Sequence, residues 1–292
     1  MGAVADHPEK PGEGPSPPLR LSRLLPAGEP ASVSEIVEGL GLWQRPGRGG
    51  TPDRPRTLLN MISTADGLAA LAGRSGPISG PADREMFHGL RLAVDGVLVG
   101  AGTARAERYG RLIGDRSRRE LRLRRGLTEE PLACIVSSHL AIDPGLPLLA
   151  EPAARVAILT PSEGELAPCA ASVQYVRARR EDGGLDLTRA LRELAERFDV
   201  RSLLCEGGPH LADELLAAGL LDELFLSLAA KLAGGDEGGG GLRILAGPVL
   251  DPVVELELLG VLEHDSHLFL RYGVAAPVRV SRETTPSSSL AR

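Results

Sequence analysis

Short runs with no alternation of apolar and polar residues constrain this chain more than any other feature. GVLVG (96–100), LACIVS (132–137), VAILT (156–160) and SLLCE (202–206) are bounded by Gly, Pro or charged residues. A half-buried strand alternates apolar and polar residues, whereas a strand apolar throughout must be covered on both faces. Helical patterns lie among them. Pro81 to Val94 places Met86, Leu90 and Val94 at i, i+4 and i+8, with Pro81 near the start. Leu187 to Phe198 carries an apolar stripe behind an Asp186 cap, and Leu211 to Ala218 forms a further helix. TLLNMIS (57–63) and VQYV (173–176) complete the first group of strands. Then the pattern changes. ELFLSLAA (223–230), VELELLGVLEH (254–264) and HLFLRYG (267–273) are strands without intervening helices. The expected fold is α/β: a central, mixed, mostly parallel sheet flanked by helices, with an antiparallel C-terminal end.

The ends of the chain do not contribute to that core. Residues 1–20 hold Pro8, Pro11, Pro15, Pro17 and Pro18 with almost no large apolar side chain, and 281–292 are Ser-rich, so both read as disordered tails. Residues 21–55 read as an N-terminal extension and linker. Within it, Leu21 to Trp43 is a short amphipathic element with a Ser32/Glu35 capping box ahead of Ile36, Val37 and Leu40. Gln44–Pro55 and the glycine run Gly234–Gly241 read as loops. One α/β domain is left over 56–280.

Composition excludes several functions. Lys plus Arg is 33 against 39 Asp plus Glu, a net charge of −6 with no basic stripe, which argues against nucleic acid. No apolar run approaches the roughly 20 residues of a membrane span, and no signal pattern opens the chain, so a cytoplasmic protein is expected. Cys134, Cys169 and Cys205 are isolated, and His264 and His267, read as one strand, would point to opposite faces. No metal site is expected.

Two glycine turns follow strands and open helices. GAGTAR (100–105) follows Val99, but its sixth residue is Arg105, so it is not the Rossmann fingerprint. CEGGPHL (205–211) places Gly207 and Gly208 where backbone could approach a ligand, and Pro209 at a first helical position. Each could be a plain turn. Together, at the carboxyl ends of strands, they suit a pyrophosphate. Ser137, Ser138 and His139 end one strand and Thr160, Pro161 and Ser162 another, without the carboxylate an NAD ribose favours. That leans towards NADPH over NADH.

A third feature, NMISTADG (60–67), is a strand ending in polar residues at an Asp-Gly turn. With His88 to Arg91, Val99 to Glu107, Glu206 to Pro209 and Asp222 to Leu224, in that order, it resembles the riboflavin-biosynthesis pyrimidine reductases. These have the dihydrofolate-reductase-like fold that forms the C-terminal domain of the bifunctional deaminase–reductase. The likeness covers about 56–273 and is strongest to the stand-alone actinobacterial type. It breaks in two places. The family's Ser-x-Asp-Gly is loosened to Ser63-Thr64-Ala65-Asp66-Gly67, and the frequent Asp-(Asn or Asp)-Pro is Glu107-Arg108-Tyr109. No deaminase signature is found.

The resemblance implies NADPH-dependent hydride delivery to C1′ of 5-amino-6-(5-phosphoribosylamino)uracil. It implies that Gly100, Gly102, Thr103, Ala104, Ser137, Thr160, Glu206, Gly207, Gly208, Pro209, His210 and Leu211 bind the cofactor. Asn60 and Ser63 would meet the pyrimidine or the cofactor amide, and Ser79 and Arg84 the phosphate. Arg91 is expected to face a carboxylate such as Asp95. Asp66 is the expected catalytic acid; a turn-shaping role is its alternative. Phe225, Leu226, Phe269 and Leu270 are expected at an apolar sheet edge that a homodimer covers. Two other readings stay open: reduction of dihydrofolate or another pterin-like ring, and a dinucleotide-binding protein without turnover.

Overall fold

The computed structural model describes residues 19–43, 53–71, 73–234, 241–248, 250 and 252–275. Most of both expected tails, residues 44–52 of the first expected loop and 235–240 of the glycine run lie outside the described residues. The chain begins with β1 (Arg20–Leu25), β2 (Ala27–Ser32), α1 (Val33–Glu38), β3 (Arg56–Thr64), α2 (Pro81–Ala93), β4 (Gly96–Gly100) and α3 (Ala101–Ala106). It continues through α4 (Arg116–Arg124), β5 (Leu132–Val136), β6 (Arg155–Thr160), β7 (Ser172–Arg177), α5 (Leu187–Phe198) and β8 (Ser202–Cys205). It closes with α6 (Pro209–Ala217), β9 (Glu223–Ala229), β10 (Leu256–His264) and β11 (His267–Val274).

All eleven strands form one sheet, in the order β2-β1-β10-β11-β9-β3-β8-β4-β5-β6-β7. From β9 to β7 every pairing is parallel. From β9 to β2 every pairing is antiparallel. The expected mixed sheet is therefore present. Consecutive residues of the apolar runs enter two different cores. Leu58, Val97, Ile135 and Ile158 pack with Val33, Val37, Met86 and Leu90 of α1 and α2. Leu59, Leu98, Cys134 and Ala157 pack with Leu191 and Leu194 of α5 and Leu211 and Leu215 of α6. This double coverage is the physical reason for the missing alternation. The parallel strands end together, so Thr64, Gly100, Val136, Thr160 and Cys205 deliver their following loops to one side.

Three local expectations are corrected. Leu21 to Trp43 is not one amphipathic element: residues 20–32 form a hairpin, β1 pairing with β10; that partner lies more than two hundred residues away and leaves no local trace. The capping box holds, with Ser32 Oγ accepting from Glu35 N and Glu35 returning to Ser32 N. Helix α4 was not expected, because an arginine occupies its core position. Arg122 is fully buried, and its Nη1 donates to the carbonyls of Arg91, Leu92 and Val94 at the end of α2. Burial lowers its pKa to about 10. His264 and His267 sit opposite each other across the β10–β11 hairpin rather than on one strand.

Phe225, Leu226, Phe269 and Leu270 are not at an edge. Strands β9 and β11 are interior, and the sheet edges are β2 and β7. Phe225 and Phe269 enter the core under α2. Leu226 and Leu270 pair on the other face, which they share with Leu25, Leu256 and Leu258, exposed by 43%, 42% and 44%. The apolar surface is a face, not an edge. Among the described residues, no helix is long and apolar enough to cross a membrane.

Candidate functional site

The sheet order places β4 and β8 side by side, so the two glycine turns meet. Gly100 N donates to Gly207 O at 2.9 Å. Gly207 holds the left-handed conformation, φ 85, whereas Gly208 lies at φ −67. The constraint at Gly208 is contact: a Cβ there would stand 2.6 Å from Thr103 Oγ1. Gly100 and Gly208 cap α3 and α6 without a side-chain hydrogen bond, and a Cβ on Gly102 would meet nothing within 4 Å. Backbone donors beside open space suit an anionic pyrophosphate.

Next to the turns lies a cleft of about 500 Å³, between the ends of β3 and β8, the 69–79 loop and α2. Asn60, Ser79, Arg84, Thr103, Glu206, Gly208 and Pro209 line it, as candidate site residues from both ends of the sequence. Ser79 Oγ donates to Asp83 Oδ2 at 2.6 Å, so its hydroxyl is already engaged. The other candidates lie outside the lining. Ser63 is buried and donates to Thr64 O. Ser137 and Thr160 are buried at the ends of β5 and β6, with Thr160 Oγ1 accepting from Ser162 N. Gly100, Gly102 and Gly207 shape the adjacent turns. Ala104 and Leu211 face the two cores, and His210 is exposed.

Asp66 also lies outside the lining and is exposed. Its carboxylate accepts from the Thr64 hydroxyl and from the backbone N–H groups of Ala233 and Gly234. The Thr64 and Gly234 bonds hold its pKa below the usual carboxylate value. This geometry ties Asp66 to the loop at Ala233 and Gly234.

The cleft floor is an ion pair. Arg91 does not face Asp95, which instead accepts from Arg201 N and Ser202 N. Arg91 Nε and Nη2 donate to Glu206 Oε1 and Oε2, both at 2.7 Å. Tyr109 Oη donates to Glu206 Oε2 at 2.5 Å. The Arg91 and Glu206 side chains are 9% and 2% exposed. Burial alone would lower the Arg91 pKa, but Glu206 reverses this and raises it. The guanidinium also lies 4.1 Å from the Phe87 ring centre and 5.3 Å from that of Tyr109. Partial desolvation, then the Arg91 and Arg118 charges, push the His88 imidazole below its usual value. Glu107 ties the cleft wall by accepting from Ser75 N and Oγ.

Phe87, His88, Arg91, Glu107 and Tyr109 line the cleft without having been singled out for it. One signal was available: Arg84, Phe87 or His88, and Arg91 recur at helical spacing on α2 and so share a face.

This sheet and its cleft define a class of α/β fold. The solved pyrimidine reductase-like protein of Corynebacterium diphtheriae has the same fold, with a TM-score of 0.64 at 20% identity over 84% of this chain and 99% of that one. The chain belongs to the RibD C-terminal domain family, whose sequence pattern matches residues 55–268. It is 29% identical to the 2,5-diamino-6-ribosylamino-4(3H)-pyrimidinone 5′-phosphate reductase of Methanothermobacter thermautotrophicus, over 62% of this chain and 81% of that protein. It is also 29% identical to the riboflavin biosynthesis protein RibD of Aquifex aeolicus, over 63% of this chain but only 49% of that longer protein.

Proposed function

We propose that this chain is a riboflavin-pathway reductase that uses NADPH to reduce C1′ of 5-amino-6-(5-phosphoribosylamino)uracil to the ribitylamino product. The observation that carries this reading is the junction of the two glycine turns at the mouth of the Glu206 cleft. NADPH, when bound, supplies the hydride. The chain supplies position and charge. Backbone donors of Gly100–Thr103 and Gly208 hold the pyrophosphate, and the hydroxyls after β5 and β6 favour a 2′-phosphate. Asn60 meets the pyrimidine, and Arg84, exposed on the first turn of α2, takes the sugar phosphate. Opening of the sugar ring breaks the C1′–O bond with a proton to the departing oxygen and leaves a protonated imine, whose positive charge is discharged when hydride adds at C1′. The Glu206 carboxylate, in the cleft floor, is the anion that stabilises that charge and accepts the sugar's hydrogen bond. Asp66 ties the loop after β3 to residues 233–234. The enzyme works in the cytoplasm as a homodimer, joined through the face of Leu226, Leu256, Leu258 and Leu270.

Loss of NADPH absorbance with the aminouracil ribotide and with dihydrofolate, offered separately, tests the reading. Turnover of the ribotide is expected, and turnover of dihydrofolate alone refutes it. Glu206→Gln should lower kcat by roughly 10²–10⁴, whereas Asp66→Asn should stay within about threefold, since Asn also suits a turn. The reverse order would return the catalytic role to Asp66. Arg84→Ala should raise KM for the ribotide more than it changes kcat.

A further inference from the structure

We infer that Tyr109 is a positioning residue for Glu206: its phenol fills the last acceptor site on Oε2, so the carboxylate meets a ligand through Oε1 alone. The inference deepens, and rests on, the role of Glu206 proposed above. A carboxylate has about four acceptor sites, two on each oxygen. Oε2 receives Arg91 Nη2 and Tyr109 Oη and is full; Oε1 receives Arg91 Nε and keeps one site. A side chain 2% exposed gets little help from water, so each donor counts. Arg91 is equally committed. Its Nη1 donates to Leu112 O, and its face is stacked on two rings, so it is not the cation for a substrate phosphate.

The backbone keeps Tyr109 in place. Its N donates to Ala104 O, and its carbonyl accepts from Leu148 N, both at 2.9 Å. Burial, then the Glu206 charge, raise the phenol well above its ordinary pKa, so it stays a donor throughout the working pH range. The residue stands where the sequence departs from the reductases it resembles: a proline at 109 would have no hydroxyl to offer.

The test uses the full chain labelled with ¹³C at glutamate carboxyls, the Glu206 resonance being assigned by its loss in Glu206→Gln. The groups that bond to that carboxyl or feel its charge are Arg91 and His88 from α2, Tyr109 from the loop after α3, and Cys205 on its own strand. Loss of the Tyr109 hydrogen bond to Oε2 should move the Glu206 carboxyl resonance in Tyr109→Phe, recorded at neutral pH. It should also lower kcat by about tenfold, with KM for the ribotide changing less than about threefold. A structural role for Tyr109 would lower the unfolding midpoint without moving either. Tyr109→Met, also without a hydroxyl, repeats the measurement if the Phe variant does not fold. A folded variant whose Glu206 resonance matches wild type overturns the inference. The carboxyl spectrum needs no substrate, so failure to reduce the ribotide would sink the proposed function and leave this result standing.

Discussion

Arg91→Met tests the cleft floor directly. The substitution keeps the length and apolar stem of the side chain but removes both donors to Glu206 and the one to Leu112 O. Glu206 is left 2% exposed with Tyr109 as its remaining side-chain donor. Breaking a buried pair by removing one partner costs about 3–5 kcal/mol. For a domain of this size that is a fall in Tm of roughly 6–20 °C. Urea unfolding followed by circular dichroism gives the loss from the midpoint, provided the slope is unchanged. Adding Glu206→Gln should recover about 2 kcal/mol or more, because a neutral amide no longer buries an uncompensated charge. A loss below about 1 kcal/mol, or a double mutant that is simply additive, would mean that the pair is hydrated and does not organise the floor.

Gly208→Val should raise the Kd for NADPH at least tenfold in a fluorescence titration, because its Cβ displaces Thr103 and its branch fills the cradle; unchanged affinity would place the pyrophosphate elsewhere. Light scattering at micromolar concentration should give twice the chain mass, and Leu258→Asp should halve it by putting a charge on the exposed β10 face; a wild-type mass of one chain refutes the dimer.

Much of the fold was legible because its signals are local. The Asp186 cap accepts from Arg189 N, Pro81 and Pro209 open their helices, and every apolar run is a strand. What escaped was set by distant partners. Arg20–Leu25 is a strand because β10 lies beside it. Helix α4 hides its core contact in an arginine whose acceptors belong to α2.

The site divides in the same way. From sequence alone, Gly100–Ala104 and Glu206–Leu211 are turns between strand and helix, and Arg84 lies on a helix near its start. That follows from glycine's conformational freedom and helix periodicity, which act within a few residues. Only the tertiary structure brought the turns together, since β4 and β8 are neighbours by sheet order although about a hundred residues separate them. It also gave the two carboxylates different surroundings. Asp66 and Glu206 both follow a strand and both sit beside glycine, yet one faces solvent and the other is buried against Arg91. A carboxylate's chemistry depends on its surrounding charges, donors and water, and those come from α2 and the loop after α3, not from its neighbours in the chain.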